Sequence, residues 1–481
     1  MAAISRTIDE FVHGRILFPF SSLLYNRRAI LRNYQELTRS EFYPEEVLRE
    51  IQFTRLKALL EFSRDYIPFY RERFKQIGFD LRDLREIEDL KHIPPLSRQE
   101  VIDFHGEMVD HRRKASIAPA NESARYPGTP IPFALFRKHK LVRNTSSGST
   151  GAPTVFYEDG SRTALNWVHE LRLKNWYGIP PGAREARMVR ISTDYMPKSG
   201  VVRFRKSLWN QLLLPGVNLA DKDYAVCLEA VKKFRPRVLW GFTSAVAGFA
   251  EFVKRTAADI SPFRPELVVG WAAPLYEHEE KLMREVFGCH VSSIYGAREV
   301  GHIAGRCAHG SFHLNQENLL VEHNNGNGNP EWGNLGEILV TTLDLSPMPF
   351  IRYRMGDVGE IGAARCECGR NLQVISNLLG RTGEIFIAKD NRMISPNFWC
   401  RTFMSSKISG AVNRFQVVYT KDKDLRIKIE RASGYSDETE QYIREMVTKN
   451  FSTDTGLEIV YVPKIEPQVS GKYQMVVNQA L

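Results

Sequence analysis

"RVLWGFTSAVAGFAEFVKRTAADISPFRPELVVGW", residues 237–271, carries the reading that decides the fold. It opens on a short apolar run, RVLWGFT, passes through a helical pattern over 244–257 and returns to a second short run, ELVVGW. The alternation extends outward in both directions. MVRIS (188–192) lies upstream and HVSSIY (290–295) downstream, with helical patterns over 161–177, 220–234 and 276–287. Short β-branched runs separated by helices predict an α/β fold whose sheet contains parallel strands. Such sheets bind ligands beyond the carboxyl ends of their strands, where the loops gather.

Further out, GEILVTTL (336–343) and FIRYR (350–354) read as additional strands. Towards the N-terminus, the run from Glu45 spaces Leu48, Ile51, Leu56, Leu59 and Leu60 as an amphipathic helix. It stops before IPFYRERF, where Pro68 breaks the pattern. Residues 112–132, rich in Pro, Ser and Ala, read as a surface connection. After Arg381 the character changes: EIFIA, FQVVYT, LRIKIE and LEIVYV are short strands, and 437–449 is a polar-faced helix. The expected organisation is a large N-terminal domain over 1–381, with a helical segment over about 1–105, followed by a small α+β domain over 382–481.

The chain has 481 residues, 43% hydrophobic and 11% aromatic, enough to bury two or three cores. No run of about 18 apolar residues occurs, so neither membrane insertion nor a secretion signal is expected. The net charge of +10 comes without basic blocks: residues 382–481 hold 14 Lys and Arg against 12 Asp and Glu. That interspersion, and the lack of a basic stripe with interleaved aromatics, speaks against nucleic acid as a partner. Six cysteines in so long a chain make no disulfide framework and point to the reducing cytoplasm.

Four local patterns could carry chemistry. NTSSGSTGAPT (144–154), just after the basic RKHKLVR (137–143), is not a Walker A loop, because no lysine follows its glycines. Its glycines still allow backbone N–H groups to approach a phosphate, and Thr145, Ser146, Ser147, Ser149 and Thr150 add hydroxyl donors. SIYGAREVG (293–301) sets Tyr295, Gly296 and Glu299 directly after a strand, where a carboxylate suits Mg²⁺. FIRYRMGDVGEI (350–361) sets Asp357 in a glycine-containing turn, a place from which carboxylates accept ribose hydroxyls. SGKYQMVV (470–477) sets Lys472 in a glycine turn before a strand. Each pattern alone is ordinary turn chemistry.

In this order and at these spacings, TSSGSTGAPT, YGAREVG, YRMGD, GRTGE (380–384) and SGKYQMVV resemble the adenylate-forming superfamily. The segment ALLEFSRDYIPFYRERFKQIGFDLRDLREIEDLKHIPPLSRQEV (58–101) is similar to its phenylacetate–CoA ligase-like branch, which includes capsule-biosynthesis ligases. The resemblance spans about residues 45–480. It implies that Thr145, Ser146, Ser147, Gly148, Ser149, Thr150 and Gly151 grip ATP phosphates and that Glu299 binds Mg²⁺. It implies ribose contacts from Asp357 and Arg381, and a lysine, Lys472, that bridges acid and α-phosphate. Ala272, Ala273, Tyr295 and Gly296 would line the adenine site, and Trp240, Gly241 and Phe242 the acyl pocket. Two departures stand out. Arg298 replaces the Ser or Thr of many relatives and could meet phosphate or substrate carboxylate. At the hinge, Gly383 replaces an aspartate, with Glu384 following.

Cys307, His313, Cys366 and Cys368 offer three thiolates and one imidazole, the donor set of a closed tetrahedral zinc site. Members of the same branch carry ligands at similar places, which strengthens a structural Zn²⁺. His302 and His309 are spare candidates, and Cys227, Cys289 and Cys400 are expected to pack as small apolar groups. The implied activity is ATP-dependent activation of a small-molecule carboxylic acid, with transfer to an acyl acceptor, coenzyme A first. An amide- or ester-forming ligase is the alternative. A noncatalytic nucleotide- or nucleic-acid-binding protein is the third reading, and a homodimer is suggested only by relatives.

Overall fold

The computed structural model describes residues 12–17, 28–116, 141–146, 154–189, 209–217, 219–324, 335–362, 366–381, 386–389, 393–394, 397–403, 408, 410–451, 454–465 and 476–479. They divide into two compact units, one drawn from 1–322, 339–354 and 362–376, the other from 323–338, 355–361 and 377–481.

The larger unit begins with helices α1 (Arg28–Ser40), α2 (Glu45–Tyr66), α3 (Pro68–Gln76) and α4 (Arg98–Phe104). In α2 the buried positions are Leu48, Gln52, Leu56, Leu59, Leu60 and Ser63, so the stripe passes through Gln52 rather than Ile51. Gln52 is tolerated there because its amide donates to the Leu319 carbonyl at 3.0 Å. Pro68 does more than end α2. It opens α3 in the first helical turn, where its missing N–H leaves no bond unmade.

The sheet grows from β3 (Glu185–Val189), β4 (Gln211–Pro215), β5 (Val238–Phe242), β6 (Leu267–Trp271) and the first half of β7 (His290–Ala297). These pair in parallel in the order β4-β3-β5-β6-β7. The second half of β7 turns back antiparallel into β8 (Gly301–Arg306), which pairs with β9 (Phe312–Leu314). Helix α5 (Gly160–Asn175) precedes β3, and α6 (Asp221–Phe234), α7 (Thr243–Arg255) and α8 (Glu277–Phe287) connect the parallel strands.

Both faces of this sheet are covered. Leu239 and Val268 pack with residues of α6, α7 and α8, whereas Val238, Trp240, Leu267 and Val269 pack with Leu173 of α5. Burial on both faces explains why the strands read as continuous apolar runs rather than alternating ones. β10 (Leu319–Asn324), β11 (Gly336–Thr342), β12 (Tyr353–Gly362) and β13 (Val374–Arg381) follow, their residues divided between the two units.

The smaller unit has its own core. β14 (Phe386–Ile387) pairs with β15 (Met393–Ile394), followed by α9 (Asn397–Phe403). A four-stranded sheet is ordered β18-β17-β16-β19, from β16 (Val412–Tyr419), β17 (Leu425–Arg431), β18 (Leu457–Tyr461) and β19 (Val476–Asn478). Helix α10 (Asp437–Asn450) lies between β17 and β18, and Phe386, Trp399, Phe415, Ile427, Ile443 and Phe451 form the centre. Among the described residues, no helix is long and apolar enough to cross a membrane.

Candidate active site

The two ends of the hydroxyl-rich stretch lie on paired strands. β1 (Val142–Ser146) pairs antiparallel with β2 (Thr154–Glu158), and Ser146 stands opposite Thr154. Thr145 and Ser146 therefore end β1, while Ser147, Gly148, Ser149, Thr150 and Gly151 lie outside the described residues. One face of the hairpin is buried: Val142, Thr154 and Phe156 are at most 4% exposed.

Glu299 occupies the tight turn joining β7 to β8, just beyond the strand as the sequence sets it, whereas Tyr295 and Gly296 lie within β7, paired with β8, rather than after it. The backbone geometry needs glycine. A Cβ on Gly296 would meet the Gly301 carbonyl oxygen at 2.3 Å, and Gly301 adopts φ +82 against Asn166. Helix α5 fixes the turn from below. Arg162 donates to the Val300 carbonyl at 2.7 Å, and Asn166 accepts from His302 N–H at 3.1 Å. Arg162 is 2% exposed and is neutralised by Asp344 at 3.0 Å. Glu299 itself is buried, and its carboxylate has no hydrogen-bond or ion-pair partner among the described residues. A carboxylate at this turn offers oxygen ligands of the kind a divalent cation takes.

Arg298 joins the two hairpins. Its guanidinium donates to the Thr145 carbonyl at 2.7 Å, across 153 residues of sequence. The turn that presents Glu299 is thereby tied to the strand that leads into the glycine- and hydroxyl-rich loop.

At the carboxyl ends of β5 and β6, Phe242 stacks on Trp271 with centroids 4.7 Å apart and planes 18° from parallel. Thr243 donates to the Ala273 carbonyl at 3.1 Å and holds the chain just past β6, where Ala272 takes a left-handed φ of +65. That conformation costs about 1 kcal/mol for a non-glycine residue. Trp240 lies inside: it is 1% exposed and packs with Val269 and Ile294 beneath Arg187, whose guanidinium is 4.9 Å from its ring. Gly241 faces Met188 and Val246. Arg187 is itself spoken for by Glu170 at 2.9 Å and Glu185 at 3.3 Å. Burial would raise the Glu170 carboxyl, but Arg187 and His302 outweigh it and hold it at about 2. Sequence reasoning missed Trp271, Arg162 and Asn166, which hold these turns and strand ends through packing and hydrogen bonds that no local motif announces.

In the smaller unit, Asp357 lies within β12 and not in a turn, as FIRYRMGD suggested. Gly356 takes φ +69 inside the strand, so the glycine that reads as a turn residue is absorbed as a local irregularity of the ladder. FIRYR shifts accordingly, the strand starting at Tyr353. Asp357 is 9% exposed and pairs with Arg381, the last residue of β13, at 3.1 Å. The two residues assigned to ribose are thus brought together, whereas Lys472, Gly383 and Glu384 lie outside the described residues.

Cys307, His313, Cys366 and Cys368 converge, their ligand atoms all within 4.8 Å of one another. The Cys307 and Cys366 sulfurs are 3.6 Å apart, and Cys368 Sγ is 3.2 Å from His313 Nε2. Zinc–sulfur bonds of about 2.3 Å at tetrahedral angles put sulfurs about 3.8 Å apart, so the cluster has the right size for that ion. Burial lowers His313 to about 4, which keeps the imidazole in its neutral, ligating form. Its Nδ1 faces the Leu372 carbonyl at 3.4 Å, leaving Nε2 for the cluster. Antiparallel pairing of His313 with Val374 brings the distant cysteines there. His302 lies apart, beside Glu170, whereas His309 borders the cluster through Glu367 but is not among its converging ligands. Burial pushes the Cys227 and Cys289 thiols up to about 12, as expected of inert packing groups.

Comparison with known proteins extends the picture. Residues 386–479 match the family described as CapK C-terminal domain. Phenylacetate–coenzyme A ligase of Thermus thermophilus is 26% identical over 363 residues, covering 73% of this chain and 74% of that one. Protein CapK of Staphylococcus aureus is 20% identical over 455 residues, covering 88% and 95% respectively. Among solved structures, 2-hydroxyisobutyryl-CoA ligase in the postadenylation state with 2-HIB-AMP superposes with a TM-score of 0.68 at 17% identity, covering 92% of this chain and 91% of that one. Sequence order, hairpin geometry and these likenesses converge: the chain is a homologue of phenylacetate–coenzyme A ligases and of CapK, with the fold of the adenylate-forming CoA ligases.

Proposed function

We propose that the chain activates a carboxylic acid with ATP and passes the acyl group to the thiol of coenzyme A. The observation that carries this reading is the 2.7 Å bond from Arg298 to the Thr145 carbonyl, which holds the Glu299 turn beside the root of the glycine-rich loop. In the first step a substrate carboxylate oxygen bonds to the α-phosphorus of ATP, and the bond to the β-phosphate oxygen breaks, releasing pyrophosphate. In the second, the thiol sulfur bonds to the acyl carbon, AMP leaves, and the thiol proton passes to solvent.

Both reactants of the first step are anions, so positive charge and backbone donors must lower the barrier. Loop N–H groups and hydroxyls from Thr145 to Gly151 would hold the phosphates. Asp357 and Arg381 would hold the ribose, Tyr295, Gly296, Ala272 and Ala273 would border the adenine, and Lys472 would face the α-phosphate. When bound through Glu299, Mg²⁺ would neutralise phosphate charge. Phe242 and Trp271, stacked at the strand ends, suit an acyl pocket wall better than the interior Trp240. The Cys307, His313, Cys366 and Cys368 cluster would hold a structural Zn²⁺ with no open position. Glu299→Gln is expected to slow ATP–pyrophosphate exchange about 100-fold, with the Mg²⁺ requirement shifted to higher concentration. Exchange within threefold of wild type would remove Glu299 from this role.

A second reading has its own support. The C-terminal residues match the CapK family, and the likeness to protein CapK extends over 88% of the chain. An amine or hydroxyl acceptor, giving an amide or ester, would use the same adenylate. Trapping the activated acyl group with hydroxylamine across aryl, fatty and amino acids, then repeating with coenzyme A, tests both readings. Hydroxamate without any thioester product would favour the second, and no hydroxamate with any acid would overturn adenylation.

A further inference from the structure

A cleft of about 560 Å³ opens in the larger unit between α1, α2 and the segment after β9, with Leu165 of α5 in its lining. Its volume falls within the range of small-molecule sites, roughly 300–1,000 Å³. None of its lining residues is assigned to the nucleotide, a metal or the acyl group. On α1 the lining residues Asn33, Glu36, Leu37 and Ser40 recur at i, i+3, i+4 and i+7, one face of the helix. Val47, Ile51 and Thr54 repeat that spacing on α2. Apolar and polar groups are mixed along both faces, a pattern that would be wasteful against a hydrophobic core.

The polar groups are held in place but not used up. Arg55 donates through Nη1 to the Glu317 carbonyl and to Asn318 Oδ1, both at 2.7 Å. Both acceptors are neutral, and its Nε and Nη2 have no hydrogen-bond partner among the described residues. Asn33, Glu50 and Thr54 have no side-chain partner among the described residues, and Glu36 meets only the exposed Arg32 at 3.0 Å. Glu317, 2% exposed, accepts from Ser40 at 2.5 Å and Arg172 at 2.7 Å through Oε1, while Oε2 has no partner. At the rim stands Tyr43, 38% exposed. Its backbone is anchored, the N–H donating to the Ser40 carbonyl at 2.9 Å and its own carbonyl accepting from Asn371 at 3.1 Å. A fixed turn therefore presents an open aromatic ring beside Leu37 and Ile51.

Charge decides what fits. A cation drawn by Glu36 and Glu50 would face Arg55, and an anion drawn by Arg55 would face both carboxylates. A hydroxyl both donates and accepts, so it satisfies either sign. We infer that the cleft binds a saccharide: ring hydroxyls donate to Glu36 and Glu50 and accept from Arg55 and Asn33, while Tyr43 and its aliphatic neighbours cover the C–H face of the ring.

Calorimetric titration of the full chain with glucose, galactose, N-acetylglucosamine and maltose tests the inference, with spermidine and inorganic phosphate as charged competitors. At least one sugar is expected to bind with a millimolar dissociation constant, to show saturation transfer at its ring C–H protons, and to resist displacement by either competitor. Thr54→Trp, at an exposed position with no partner to lose, should fill the cleft and abolish binding. Tyr43→Ala and Glu50→Gln, also exposed, should each weaken binding about tenfold, the loss of one aromatic face or of one hydrogen bond to a charged group. All three variants should unfold at the wild-type temperature. No binding by any of the four sugars, binding unchanged in Thr54→Trp, or displacement of the sugar by spermidine or phosphate overturns the inference.

Discussion

Lys472→Ala is expected to reduce ATP–pyrophosphate exchange to background while leaving ATP binding measurable. The physical reason is the encounter of two anions. A carboxylate approaching the α-phosphate meets repulsion that the ground-state grip on the β- and γ-phosphates does not relieve, and a lysine between them would act where charge is shared in the transition state. A single oriented donor of this kind is worth about 10²- to 10³-fold in rate, more when water is excluded. The binding energy of the nucleotide would come from elsewhere, from the glycine-rich loop and from the Asp357–Arg381 pair, whose atoms are already 3.1 Å apart. The diagnostic outcome is thus a split between an abolished chemical step and a dissociation constant changed by only a few-fold. Exchange at a normal rate would remove Lys472 from the chemistry, even though it lies four residues before β19 in a segment matching CapK C-terminal domains.

Cys368→Ser is expected to abolish zinc binding at the proposed cluster and to cost several kilocalories per mole of stability. Metal analysis of the wild type should give one zinc per chain and the variant far less than one. Thermal unfolding should shift downward by roughly 5–10 °C, since a metal site that exists only in the folded state contributes its binding energy to folding. Chelation of the wild type should reproduce the shift, and chelation of the variant should add little. The effect spreads because the cluster joins remote pieces: Cys307 follows β8, His313 lies on β9, and residues 366–368 lead to β13. Arg370 and Asn371 then hold Glu41, Phe42 and Tyr43 between α1 and α2, so loss of the cluster should loosen that turn, readable as faster amide exchange. Full zinc content in Cys368→Ser, or an unshifted transition, would dismiss the site.

The alternation of strands and helices from 160 to 300 was legible because doubly covered parallel strands need unbroken apolar runs, and β5, β6 and β7 appear where RVLWGFT, ELVVGW and HVSSIY predict them. Cys307, His313, Cys366 and Cys368 were legible because few other reasons gather soft ligands. Other features were not. Helix α9 has only seven residues, and it exists because Trp399 and Phe403 find Phe386 and Phe415, the last pair stacked at 3.9 Å. Trp240 and Phe242 share one face of β5, yet Trp240 lies two residues deeper in the sheet and is buried, while Phe242, at the strand's end, stacks on its cross-strand neighbour Trp271.

The sequence by itself determined the periodicities, the donor types and their order along the chain, because these depend on what each residue can bury or bond. Only the tertiary structure decided which of them meet. Arg298 reaching the Thr145 carbonyl and Arg381 reaching Asp357 are products of strand pairing and helix packing over long separations. A side chain's charge state and partner are set by the neighbours that the fold brings to it, and no local pattern encodes those neighbours.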